Sequence, residues 1–213
     1  MDRSRIAIVI PAHNESATIA RVVTEAKAYG IAIVVDDASD DGTAAAAGAA
    51  GAAVVRNETK SGYDGAINTG FRHADELGMD FVVTLDGDGQ HETASIRDVL
   101  TELDNGADLV VGYRPRTARL MEYLFAVITR YRYGIFDPLC GLKGYRMELY
   151  RQRGHFDRRS SIGTELMLYA VRRGFRFAQV RIDVRERDGH SRFGHTLKGN
   201  LKIVRAMLAM HRD

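Results

Sequence analysis

Cysteine is nearly absent from this chain of 213 residues: Cys140 is its only copy, so no disulfide can form within it. A single thiol excludes the disulfide-stapled secreted scaffolds and fits a reducing compartment, with the cytoplasm as default. Long apolar runs are missing too. No segment approaches the roughly 20 residues a spanning helix needs. The run at 6–10 closes at Pro11, too short for a signal-peptide core and with no small-residue cleavage site after it. If the protein works at a membrane, it is expected on the cytoplasmic surface as a peripheral protein or beside a membrane-embedded partner. An excess of either charge is lacking as well. Lys and Arg number 30 against 28 Asp and Glu, a formal net charge of +2, which gives no footing for nucleic-acid binding. The length leaves room for one substantial core, so a single domain over 1–213 is expected.

What the chain does have is alternation. Short β-branched runs at 6–10, 31–35, 53–56, 81–85 and 109–112 read as strands buried on both faces. Between them lie helical patterns, with Ile19, Val22, Val23 and Ala26 spaced over 17–29 and Ile96, Val99, Leu100 and Leu103 over 93–103. The alanine- and glycine-rich stretch 43–53 reads as a closely packed crossover helix. Such alternation predicts right-handed βαβ units and an α/β fold with a mostly parallel sheet. After Gly112 the pattern turns irregular: a helix within 114–133, a strand at 140–145, a helix at 164–173, an edge strand at 177–184 and a last helix at 196–211. Basic residues crowd this last third, from Arg172 to Arg205.

The richest stretch is the strand 81–85 running into Asp86-Gly87-Asp88-Gly89-Gln90-His91. Two carboxylates one glycine apart repel each other, and a hard divalent cation such as Mg²⁺ relieves that repulsion while taking further oxygens from a phosphate. In open α/β sheets ligands gather at this end of the strands. Two other strand ends share the edge. Pro11-Ala12-His13-Asn14-Glu15 offers polar groups to a nucleotide, although Asn14 or Ser16 would equally serve as a helix cap. In Val35-Asp36-Asp37-Ala38-Ser39-Asp40-Asp41-Gly42-Thr43, Asp37 can accept from a base or ribose, while Asp40, Asp41 or Thr43 caps the next helix. The glycines of 60–70 fit neither the P-loop nor the dinucleotide spacing; Gly65 and Gly70 are assigned to helix packing, with Lys60 as a candidate phosphate partner.

These three blocks resemble the nucleotide-sugar-binding motifs of family 2 inverting glycosyltransferases with the GT-A fold. Later blocks narrow the likeness: Asp137-Pro-Leu-Cys-Gly-Leu-Lys-Gly-Tyr-Arg146, Glu165 in Gly-Thr-Glu-Leu, and Arg187-Asp-Gly-His-Ser-Arg192 are similar to the dolichyl-phosphate mannose synthase and polyprenyl-phosphate glycosyltransferase branch. The resemblance implies a Rossmann-like sheet, a nucleotide-sugar-binding half over 1–113 and an acceptor-side half over 114–213. It implies that Pro11, Glu15, Val35 and Asp37 hold the nucleoside, and that Asp86, Asp88 and Gln90 surround Mg²⁺ or Mn²⁺ and the diphosphate. Arg114 and Arg119 correspond to positions near the donor and acceptor phosphates, and Arg187 and Arg192 to an acceptor-side loop. For each arginine a solvated surface charge is the competing reading.

The acceptor follows from proton bookkeeping. A sugar hydroxyl needs a base, whereas a phosphate monoester, with a second pKa near 6, is already ionised at neutral pH and needs cations instead. In many hydroxyl-accepting relatives a Glu-Asp pair occupies the region of 163–165. Thr164 and Glu165 break that pair here, which favours a phosphate acceptor, a polyprenyl phosphate in the branch that the chain resembles. Asp137 is the remaining candidate base for the alternative, transfer to a hydroxyl of a glycan or small metabolite, and its other role would be to orient the 137–141 turn. A binding protein without transfer activity is a third reading, opposed by retention of both Asp86 and Asp88. A nucleotidyltransferase would need a glycine-rich N-terminal phosphate loop, which is missing. On the helix at 196–211, Leu197, Leu201, Val204 and Leu208 form a stripe beside Lys198, Lys202 and Arg205, a pattern that suits either a membrane surface or packing on the domain.

Overall fold

The computed structural model describes residues 1–88, 93–115, 120–158, 161–182 and 203. Among them, strands β1 (Ile6–Ala12), β2 (Ile31–Asp36), β3 (Ala53–Arg56), β4 (Phe81–Thr84), β5 (Leu109–Tyr113), β6 (Lys143–Arg146) and β7 (Phe177–Arg181) form one sheet in the order β3-β2-β1-β4-β6-β5-β7. Every pairing is parallel except those of β6, which runs antiparallel between β4 and β5. The helices are α1 (Ile19–Ala26), α2 (Thr43–Ala49), α3 (Gly62–Glu76), α4 (Ser95–Asp104), α5 (Leu120–Tyr133), α6 (Met147–Arg153) and α7 (Glu165–Arg172). None is long and apolar enough to cross a membrane among the described residues.

The period-2 geometry of the strands divides the core in two. On β1, Ile6, Ile8 and Ile10 face one cluster with α1, α2 and α4, while Ala7 and Val9 face the other with α3, α5, α6 and α7. Close approach of α3 depends on Gly70. A Cβ there would overlap Val9 Cγ1 and lie 3.3 Å from Val35 Cγ2, so hydrogen in place of methyl lets the helix settle on β1 and β2. Gly65 differs from expectation. Its added Cβ would meet only Ser61, a relief within the start of α3 rather than against the sheet.

The first five strands fall where the β-branched runs put them. Helix α1 begins at Ile19 rather than 17 because the Glu15 carbonyl first accepts the N–H groups of both Thr18 and Ile19, closing a turn. The strand expected at 140–145 starts at Lys143, since residues 137–140 are folded into a turn in which Cys140 N–H donates to the Asp137 carbonyl (3.3 Å). The strand expected at 177–184 is β7, paired with β5 at the sheet edge. The helix expected over 196–211 lies outside the described residues apart from Ile203, which is helical and buried in the core.

Candidate active site

Because β6 alone is reversed, the C-terminal ends of β1, β2, β4 and β5 open on one edge. Strands β2 and β3 lie to one side of β1 and the later strands to the other, so the crevice between β1 and β4 is the topological switch point at which ligands bind in such sheets. Hydrogen bonds knit three loops together there. Asn14 adopts φ 55°, a left-handed conformation asparagine tolerates better than most residues. That turn lets its N–H donate to Ser39 Oγ (2.9 Å) and its side-chain oxygen accept from Asp40 N–H (3.1 Å). Glu15 N–H donates to Thr43 Oγ1 (2.8 Å) and Ser16 N–H to the Asp41 carboxylate (3.1 Å). Burial opposes ionisation of Asp41, but these donors together with Thr43 outweigh it and hold the carboxyl near a pKa of about 2. Asp41 therefore caps the start of α2 and ties the two loops together, the capping role expected of it. Across the crevice the Thr18 hydroxyl donates to the Gly87 carbonyl (2.9 Å), and Gly87 packs beside the Pro11 carbonyl.

Of the nucleoside-side residues, Pro11 and Glu15 are half-buried on this edge. Asp37 is almost wholly buried. One of its oxygens accepts from Asn57 Nδ2 (2.8 Å), Ser61 N–H (2.8 Å) and Ser61 Oγ (2.7 Å), and the other from Gly62 N–H (2.8 Å). Burial pushes its carboxyl up, yet these donors win and hold it below the usual range. The less crowded oxygen, Oδ2, is the one with capacity for a ligand donor. The side chain of Val35 lies in the core, which leaves its backbone as the part that faces this edge. Lys60 is exposed in the loop before α3.

Asp86 and Asp88 are half-buried just beyond β4, at the same edge of the sheet, and carry hard oxygen donors. The Asp86 carboxylate lies directly over Gly141: a Cβ at Gly141 would sit 2.5 Å from Asp86 Cγ and Oδ1, and closer to Oδ2. The missing side chain is thus the cradle of the first carboxylate. This donor set fits a small divalent cation, which takes one or two protein carboxylates and completes its shell with phosphate oxygens. Among the described residues no three His, Cys, Asp or Glu side chains converge on one point. Gln90, the third expected ligand, and Arg119, Arg187 and Arg192 lie outside the described residues.

The turn that carries Gly141 leads to the acceptor-side candidates. Arg114, following β5, makes a fork to Asp137, Nε to Oδ2 at 2.7 Å and Nη2 to Oδ1 at 3.1 Å, and its backbone N–H donates to Oδ2 (3.3 Å). Glu122 stands 3.8 Å from the same guanidinium. Asp137 therefore fastens the end of β5 to the 137–141 turn, and both of its oxygens are engaged. Glu165 is engaged as well, accepting from Arg153 Nη2 (2.6 Å), His155 Nε2 (3.0 Å) and Arg158 N–H (2.7 Å). Burial is overcome by these donors, and its carboxyl falls to about 2.

Three residues beside Asp86 were not singled out by sequence. Lys143 is buried opposite Thr84, with Nζ donating to the Cys140 carbonyl (2.6 Å). Burial pushes its pKa down, and Cys140, Asp137, Asp86 and Asp64 around it push the other way. Asp64, in the first turn of α3, accepts from Gly163 N–H (2.6 Å) and Ile162 N–H (3.2 Å). It thereby holds Ile162 at φ 56°, an outlier for a β-branched residue. Burial and Asp157 raise its carboxyl to about 6. Tyr63, its neighbour, is lifted well above the usual phenol range by burial and by Asp86 and Asp64. On sequence, Asp64 reads as an ordinary charge at a helix N-terminus and Lys143 as a strand-end cation. Their partners are distant in the chain.

Residues 7–154 match the family described as Glycosyl transferase family 2. An uncharacterised glycosyltransferase of Mycobacterium tuberculosis is 30% identical over 210 residues, covering 93% of this chain and 94% of the relative. The undecaprenyl-phosphate mannosyltransferase of Micrococcus luteus is 30% identical over 168 residues, 69% of this chain and 68% of the relative. The dolichyl-phosphate hexose transferase of Haloferax volcanii is 28% identical over 203 residues, 88% and 86% of the two chains. Among solved structures, glucosyl-3-phosphoglycerate synthase from M. tuberculosis in complex with Mn²⁺ and uridine-diphosphate-glucose aligns with a TM-score of 0.79 at 23% identity, covering 98% of this chain and 79% of that one. That likeness shows the fold, the GT-A type.

Proposed function

The chain belongs to glycosyl transferase family 2, and from that premise we propose that it moves a hexose with inversion from a UDP- or GDP-linked donor to a polyprenyl phosphate. Residues 1–113 hold the donor and 114–213 serve the acceptor within one domain. Pro11, Glu15, Asp37 and the backbone of Val35 bind the nucleoside; Asp86, Asp88 and Gln90 hold Mg²⁺ or Mn²⁺. When bound, the cation stabilises the negative charge that grows on the departing nucleoside diphosphate. Arg114, preorganised by its fork to Asp137, adds positive potential on the same side. Arg119, Arg187 and Arg192 position the acceptor phosphate.

The observation that carries the acceptor class is the engagement of the carboxylates. Transfer to a hydroxyl needs a base within hydrogen-bond reach of the nucleophile. Asp137 is forked by Arg114, Glu165 is enclosed by Arg153 and His155, and both oxygens of Asp64 accept backbone N–H groups. An ionised phosphate asks for none of them. Two relatives named as undecaprenyl-phosphate and dolichyl-phosphate sugar transferases support the reading. The test is transfer of labelled sugar from UDP- and GDP-sugars with Mn²⁺ to undecaprenyl phosphate, dolichyl phosphate and phosphoglycerate, side by side. Product on a lipid phosphate is expected. Product on phosphoglycerate alone would reverse the acceptor assignment.

A further inference from the structure

Helix α5 is apolar on the side that faces away from the protein. Its inner side is accounted for: Phe125, Ala126 and Thr129 are buried, and Met121, Ile128 and Tyr133 pack against the core. Yet Tyr123 is 60% exposed and Tyr131 92%, with Leu124, Val127 and, just past the helix, Phe136 exposed as well. At 3.6 residues per turn, Tyr123, Leu124, Val127 and Tyr131 share an arc of about 100° opposite Phe125 and Thr129. A helix apolar on both sides belongs in an interior or against a membrane, and a contiguous exposed apolar patch marks a contact surface. The solvent sides of other helices differ. Exposed positions on α3 carry Arg72 and Glu76, and on α4 Arg97 and Asp98.

We propose that this face of α5 docks on an anionic phospholipid bilayer, which rests on the reading of a lipid-phosphate acceptor. Charge selects the occupant. Arg130 borders the stripe, its guanidinium over the Phe136 ring at 5.0 Å, and Arg132 is exposed at the same end of the helix, about 80° beyond the other edge. The helix's one acid, Glu122, is half-buried and directed to Arg114 at 3.8 Å, so the outward face is wholly apolar and basic. Tyrosines with a wet hydroxyl and a greasy ring suit the headgroup level. Arginines flanking them reach phosphates while their stems lie on the apolar layer. The Glu122–Arg114 contact (3.8 Å) ties the inner side of α5 to Arg114, so the helix that carries this face also braces a group assigned to the site.

Co-sedimentation of the full chain with vesicles tests the face apart from catalysis. With equal parts phosphatidylcholine and phosphatidylglycerol, binding is expected that raised salt weakens, at least tenfold stronger than to phosphatidylcholine alone. The Tyr123→Ser/Val127→Ser/Tyr131→Ser variant is expected to bind at least tenfold more weakly, and Arg130→Gln/Arg132→Gln to lose the preference for phosphatidylglycerol. Both should unfold near the wild-type temperature, as exposed substitutions do. Wild-type binding by the triple variant, or no sedimentation with either vesicle, overturns the proposal. So does a dimer in equilibrium sedimentation that the triple variant abolishes while vesicles recruit nothing, since a second copy would then cover the face. Transfer to detergent-dispersed lipid phosphate separates the two readings. Transfer without vesicle binding removes the docking face alone, and vesicle binding without transfer to any lipid phosphate sustains the face and removes the acceptor.

Discussion

Replacing Gly141 by alanine puts one methyl group against the back of the Asp86 carboxylate. The new carbon would lie 2.5 Å from Cγ and Oδ1 and nearer to Oδ2, whereas non-bonded carbons rest at roughly 3.5 Å or more. The carboxylate must retreat by about 1 Å. The backbone has no objection, because Gly141 is not among the glycines at positive φ. The loss of unfolded-state freedom then returns about 0.4–1 kcal/mol against an overpacking cost of about 1–3 kcal/mol. Stability should change little, by about 1–2 kcal/mol or a few degrees in Tm. The larger effect falls on the metal. Disturbing a group that positions a ligand costs about 10–100-fold in affinity, and a 1 Å misplacement near the chemistry can cost on the order of 100-fold in rate. Calorimetric titration of Mn²⁺ with a nucleotide sugar should show that 10–100-fold weakening in Gly141→Ala, with a thermal melt run beside it. Wild-type Mn²⁺ affinity in a folded Gly141→Ala protein would refute the idea that this cradle sets the place of Asp86.

Asp137→Asn leaves the Arg114 guanidinium, 24% exposed, with Glu122 at 3.8 Å as its remaining acid partner. A loss of about 2 kcal/mol is expected, less than the 3–5 kcal/mol of a fully buried pair because water reaches Arg114; a cycle with Arg114→Met read by denaturant melts should be non-additive, and strict additivity would deny the pair. Asp64 binds its proton more tightly folded, at about 6, than unfolded, at about 4. Wild-type stability should therefore fall as pH rises from about 4 to 6, and Asp64→Asn should remove that slope; parallel pH–stability curves for the two proteins would sink the assignment. Gly70→Ala drives a methyl into Val9 and should cost about 1–3 kcal/mol, measured as a lower unfolding midpoint without loss of Mn²⁺ affinity.

The strands of the donor half were legible because each is a β-branched run stopped by polar or proline residues, and the two-faced burial of Ile6–Ala12 follows directly from its continuous apolar sequence. The convergence of the 11–15, 36–43 and 86–88 loops was legible for the same reason, since parallel strands deliver their ends to one edge. What sequence could not supply was pairing at a distance. Lys143–Arg146 carries no apolar run, and its insertion between β4 and β5 is decided by partners about 60 and 35 residues away. Gly141 looked like a turn residue, and only the neighbouring strand reveals that it makes room for Asp86. Nothing in the sequence around Asp64 signals that Ile162 and Gly163, nearly 100 residues on, donate to it. Val35 sits in a block that resembles a nucleotide-sugar motif, and its side chain follows the strand alternation into the core.

The proposed activity requires Asp86 and Asp88 to bind the diphosphate of a sugar donor through a divalent cation. The most direct measurement is calorimetric titration of UDP- and GDP-sugars into the wild type and Asp88→Asn, each with and without Mn²⁺. One donor should bind the wild type with Mn²⁺ and bind at least 100-fold more weakly, about 2.7 kcal/mol, when either Mn²⁺ or the Asp88 carboxylate is withdrawn. Equal Mn²⁺-dependent donor affinity in Asp88→Asn would contradict it.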